Sequence, residues 1–154
     1  MTAEHLFEQP DRFVVGTVGR PGERVFYLQA IEGPQTVTVA LEKAEVAALA
    51  QGLSELLAQV GAKSRRSAEV DPDPLQTPFL EDFRVSELSV SWDGERVVIE
   101  AADGSEGRLK VSLTTAQTQA FVGRAQRIVA AGRAPCTLCG RPDGPDGHFC
   151  PRLN

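Results

Sequence analysis

Positive charge is in short supply. The 154-residue chain carries 16 Lys and Arg against 21 Asp and Glu, a formal net charge of −5. Such a chain repels polyphosphate, which disfavours general binding to nucleic acid or to an anionic membrane. Its one basic cluster, Lys63 to Arg66 (KSRR), runs directly into the acidic EVDPD and reads as a solvated loop. No apolar run approaches the ~18 residues that span a bilayer. The start, MTAEHLFEQPDRF, lacks a basic region followed by an apolar signal core, so a cytoplasmic protein is expected. Cysteine is scarce too: three residues, all between 136 and 150. An odd, clustered set in a reducing compartment points to metal or redox chemistry rather than a disulfide framework. The chain also holds no phosphate loop, no Gly-x-Ser-x-Gly and no dinucleotide fingerprint.

What is present is a chain long enough for one domain with its own core, and a pattern that recurs within it. Shifted by 72 residues without a gap, Gly22–Val60 lies over Gly94–Gly132 with ten identities in 39 positions, including Gly-Glu-Arg-Val. The apolar pattern persists where the letters differ, with Val37, Val39 and Leu41 over Leu109, Val111 and Leu113. Internal duplication is the favoured account. Each half reads as three strands and a helix. The first has strands at Arg12–Val18, Arg24–Ile31 and Thr36–Leu41, then a helix whose apolar face is Val46, Leu49, Ala50, Leu53, Leu56, Leu57 and Val60, stopped by Gly61. The second has strands at Arg84–Trp92, Arg96–Ala102 and Arg108–Leu113. Its first hairpin carries an Asp93-Gly94 signal for a type I′ turn. Thr114-x-x-Gln117 fits a capping box for a helix with Phe121, Ala125, Ile128 and Val129 on its buried stripe, ending at Gly132.

The expected fold class is therefore α+β: two pseudo-repeated βββα units, each an antiparallel meander followed by a helix, plus a C-terminal zinc-binding loop. The domain division is 1–132 for the duplicated domain, with halves at about 12–61 and 84–132 and a linker at about 63–82, and 133–154 for the tail. Whether the strands join in one sheet or two is open. The linker is rich in Pro, Asp and Ser, and Phe79, Leu80 and Phe83 favour packing of its final third. His5 is expected to be solvent-exposed near a frayed terminus.

After Gly132 the composition turns to Cys, Pro and Gly, and such a segment needs an external tie to hold a structure. Cys136-x2-Cys139-x8-His148-x-Cys150 supplies four ligands of the types that zinc takes in tetrahedral structural sites. GRPDGPDG, between the two pairs, is built of turn formers. A thioredoxin-like pair is the weaker alternative, because these cysteines follow a helix instead of opening one. A catalytic Cys–His pair would need an orienting acid, such as Asp143 or Asp146, and an oxyanion pocket. An iron–sulfur or other metal centre would use the same ligands. Four ligands and three thiolates suit a closed structural zinc better than a catalytic one. Arg133, Arg141 and Arg152 would offset its charge or serve as contact points.

VFYLQA (Val25–Ala30), VALEKAEVAALAQGLSELL (Val39–Leu57) and CTLCGRPDGPDGHFCPR (Cys136–Arg152) together resemble a family of actinobacterial proteins classed as a domain of unknown function. The likeness covers essentially the whole chain, and its most specific part is Cys-x-x-Cys-Gly-Arg-Pro with Gly-His-x-Cys-Pro-Arg. It implies no activity. Genes of that family often lie beside those for a histidine-phosphatase-like and a phosphoinositide-kinase-like protein, which implies them as possible partners. The favoured function is a non-catalytic zinc-binding scaffold or protein-interaction module, with no catalytic residues named. The alternative is an enzyme or enzyme subunit acting on a small phosphorylated or acidic metabolite between the halves, where Arg24 and Arg96 are equivalent in the repeat.

Overall fold

Two four-stranded sheets and two helices make up the α+β fold in a computed structural model of the chain, which describes residues 4–20, 22–61 and 70–131. The order is β1 (Glu4–Phe7), β2 (Arg12–Val18), β3 (Val25–Glu32), β4 (Gln35–Leu41), α1 (Lys43–Gln59), β5 (Phe83–Arg84), β6 (Glu87–Trp92), β7 (Val97–Ala102), β8 (Arg108–Leu113) and α2 (Thr115–Ala131). The first sheet runs β2-β3-β4-β5 and the second β1-β8-β7-β6. In each, three consecutive strands pair antiparallel, as short hairpin connections require.

The fourth strand of each sheet lies far in sequence from the strand it pairs with. β1 pairs parallel with β8, which brings Phe7 opposite Val111, and β5 pairs parallel with β4, which brings Phe83 opposite Val39. Parallel neighbours need long connections, and both strands have them. Phe7 is fully buried and Phe83 nearly so. The expectation of a frayed N-terminus is therefore corrected. His5 sits in β1 opposite Leu109 and is half-buried, because pairing with β8 ties the segment down.

One cluster of buried side chains joins both sheets and both helices. Phe26, Leu28 and Ala30 of β3 and Val37, Val39 and Leu41 of β4 meet Val97, Ile99 and Ala101 of β7 and Leu109, Val111 and Leu113 of β8. α1 and α2 pack on each other; α1 also lies on β6 and α2 on β2. Phe121 of α2 stacks on Phe13 of β2 with ring centroids 4.8 Å apart. The capping box of α2 is as expected: Gln117 N–H donates to Thr114 Oγ1 and Thr114 N–H to Gln117 Oε1, both at 3.0 Å. The Asp93-Gly94 turn is not type I′. Trp92 pairs with Val97, so the loop has four residues, and only Gly94 takes positive φ. Asp93 Oδ1 closes it by accepting from Glu95 and Arg96 N–H.

The described part of the linker, residues 70–82, crosses the outer face of the first sheet as a strap. Leu75 is buried over Gly16, where an added Cβ would lie 2.6 Å from Leu75 Cδ2. Gln29, fully buried, donates to Gln76 O at 3.0 Å and accepts from Gln76 N–H at 2.8 Å. Phe79 meets Tyr27 edge-on, and Asp82 accepts from Thr38 N–H. Phe79 and Phe83 pack as expected; Leu80 does not and is 84% exposed. The second sheet has no such cover among the described residues. β6 alternates exposed Glu87, Ser89 and Ser91 with part-buried Leu88, Val90 and Trp92, the pattern of a sheet with one wet face.

Candidate functional site

Cys136, Cys139, His148 and Cys150 lie outside the described residues, as do Lys63 to Arg66 and the tail arginines. Among the described residues no group of three or more His, Cys, Asp or Glu is placed to hold a metal. Two clusters of arginines therefore define the polar geometry of the described fold.

The first pins the strap. Arg124 of α2 is 7% exposed, and its Nε donates to Val15 O of β2 at 2.7 Å while its guanidinium donates to Asp71 O at 2.6 Å. Arg12 of β2 reaches the same segment, with Nε 2.6 Å from Asp71 Oδ2 and a second bond to Asp73 O. The hydrogen bond from Arg12 holds the Asp71 carboxyl below its ordinary range, aided by the Asp73 N–H and the charges of Arg12 and Arg124 and opposed by burial. Burial, and then the neighbouring charge of Arg12, lower the Arg124 pKa. The hydrogen bonds that Arg12 and Arg124 make here go to backbone carbonyls and to the Asp71 carboxylate, so the groove is a clamp that binds α2, β2 and strap together.

The second cluster gathers residues from both halves. A pocket of roughly 190 Å³ is lined by Arg24 from the turn before β3, Phe26, Leu41, Glu42 and Lys43 at the start of α1, and Arg84 of β5. Arg84 donates to the Glu42 carboxylate, which raises its pKa, with further help from Glu81 and Glu45. Arg24 differs: its Nε is buried and has no hydrogen-bond partner among the described residues. Leaving a buried N–H of a charged group unpaired is costly.

Arg24 and Arg96 are not equivalent in the fold. The inward residues of the middle strands correspond as Phe26 with Val97, Leu28 with Ile99 and Ala30 with Ala101, a shift of 71, whereas those of the next strands correspond at 72. A slip of one residue in a strand exchanges its faces. Its source is the following hairpin, closed by Glu32 and Gln35 in one half and by Ala102 and Arg108 in the other. Arg96 turns its guanidinium to Ser112, donating to Oγ at 2.9 Å and to the carbonyl at 3.0 Å. Arg24 finds no such acceptor for its Nε among the described residues. Sequence reasoning picked out Arg24 but missed Lys43 and Arg84, which only the β4–β5 pairing brings near it.

The outer face of the second sheet forms a shallow groove between Glu4, Glu87, Ser89, Glu100 and Lys110. An ion pair there, Lys110 with Glu100, is long at 3.9 Å and exposed, so it contributes little. No described helix is long and apolar enough to cross a membrane.

These features describe a two-sheet α+β protein whose sheets exchange edge strands and whose polar groups serve mainly to hold its own segments. The chain matches the model of the family described as "Protein of unknown function (DUF3090)" over residues 5–150, and it belongs to that family. Neither the curated proteins nor the solved structures gave a match.

Proposed function

We propose that the protein is a non-catalytic interaction module with a structural zinc in its tail. Residues 1–132 form one duplicated α+β domain, with halves at 12–61 and 84–132. Residues 133–154 form the tail, in which Cys136, Cys139, His148 and Cys150 hold the metal. The donor set carries this reading: three thiolates and one imidazole saturate a tetrahedral ion and leave no open position for chemistry. Zinc bound there contributes its binding free energy to ordering a segment too poor in apolar residues to order itself. Duplication is supported by two 17-residue helices that start 72 residues apart, and by Phe7 and Phe83 at matching places in the two exchanged pairings. The module acts in the cytoplasm. The proposed partners are a phosphoinositide-kinase-like or histidine-phosphatase-like protein, met by the tail and the open, polar face of the second sheet.

Affinity capture from native cells tests this, with wild-type and Cys136→Ser baits side by side. The wild type should retain one of those partners and Cys136→Ser should lose it. Retention of neither by the wild type, or equal retention by both baits, contradicts the module.

A second reading has one observation of its own. The pocket of Arg24, Lys43 and Arg84, drawn from both halves, suits an enzyme subunit that handles a small phosphorylated or acidic metabolite.

A further inference from the structure

The geometry points to a binding site for a small oxyanion, a phosphate or carboxylate group, in the pocket between Arg24, Lys43 and Arg84. The inference deepens the second reading. It rests only on that reading's claim that a small acid binds between the halves, and turnover forms no part of it.

Three observations carry it. The pocket is lined by three cationic side chains and one carboxylate, that of Glu42, which is already bonded to Arg84. The other two cations, Arg24 and Lys43, line the pocket with no carboxylate paired to them among the described residues. The second observation is the Arg24 Nε, withdrawn from water yet unbonded among the described residues. A guanidinium N–H in that state lacks an acceptor, and the strongest acceptors for it are the oxygens of phosphate and carboxylate groups, which take two parallel bonds from the guanidinium fork. The third is the contrast with Arg96, whose guanidinium bonds Ser112 within its own sheet. Two arginines in the same Gly-Glu-Arg-Val turn thus have opposite fates. One is satisfied internally, and the other lines a cavity with its Nε–H buried and unbonded among the described residues.

Size and surroundings agree. A cavity of roughly 190 Å³ holds several waters at ~30 Å³ each and so admits one phosphate-sized group. Phe26 and Leu41 give it an apolar floor on which charge pairing is strengthened. Arg84, more than half exposed and held by Glu42, is placed to turn from that carboxylate to an arriving anion.

The test uses the full-length protein and inorganic phosphate, with malonate as the carboxylate probe, at constant ionic strength set by chloride. Thermal unfolding of the wild type should shift upward and saturate with one or both anions, and the tighter of the two names the ligand's acidic group. Arg24→Ala and Lys43→Ala should each weaken the apparent affinity about tenfold or more, the loss expected for a charged hydrogen bond. Arg127→Ala, a charge change at an exposed position of α2, should leave it unchanged. Should Arg24→Ala prove too unstable to assay, Arg24→Lys keeps the charge but loses the fork, and its affinity should fall between the two. The site is overturned if neither anion gives a saturable shift beyond chloride. It is equally overturned if the Arg24 variants bind as the wild type does. Neither result touches the metal content of the tail, so this inference and the zinc reading fail separately.

Discussion

The strap over the first sheet makes a sharp prediction through Gly16. Gly16 lies on the outer face of β2, and a Cβ built there would stand 2.6 Å and 3.0 Å from the two methyl carbons of Leu75. Carbon atoms in contact rest at ~3.5–4.0 Å, so Gly16→Ala must push Leu75 and its segment off the sheet. Overpacking of this kind costs about 1–3 kcal/mol. Leu75→Ala alone empties a buried site and costs about 2–3 kcal/mol, at the low end for a leucine because a strap can settle inward. In the double variant the new methyl occupies space that Leu75 has left. Its cost should fall below the sum of the singles by about 1–2 kcal/mol, a coupling well above the ~0.5 kcal/mol scatter of independent sites. Urea unfolding of the four proteins reads these values directly. A neutral Gly16→Ala, or singles that simply add, would refute the packing of Leu75 on Gly16 and with it the strap.

Two further predictions concern the exchange of strands and the clamp. Phe7→Ala should destabilise by about 3–5 kcal/mol, lowering Tm by roughly 10 °C or more, since Phe7 is 0% exposed; a loss under ~1 kcal/mol would mean that β1 does not close the second sheet. Asp71 has its carboxyl pKa lowered in the folded state, foremost by Arg12. Its contribution is therefore present above the unfolded value near 3.9 and is lost as pH falls through the lowered folded value. Wild type should exceed Asp71→Asn by about 1 kcal/mol between pH 5 and 8, the modest worth of a partly exposed pair, and the gap should close in acid. A gap constant down to pH 3 contradicts the clamp.

The periodic elements were legible because their side chains repeat at the period of their backbone. Arg108–Leu113 was bounded to the residue, and the Thr114–Gln117 box opens α2 as its letters say. β1 and β5 were not legible. They have four and two residues, and their partners β8 and β4 lie far away in sequence, so they owe their form to tertiary pairing. The strap hid for a similar reason: Asp71, Asp73 and Gln76 look like loop residues until Arg12, Arg124 and Gln29 receive them. An ungapped comparison likewise could not see that hairpins of different length turn Arg96 to Ser112 and leave Arg24 lining a pocket. The candidate pocket needed that register, whereas the tail motif is a matter of ligand type and spacing, which sequence carries by itself.

The most direct test of the proposed module is the metal content of the full-length protein, purified without added metal or chelator. One zinc per chain is predicted, falling to a small fraction of that in Cys136→Ser and in His148→Ala, with the 4–131 core still folded by circular dichroism. A protein that is folded and metal-free, or one whose zinc survives both substitutions, would contradict it.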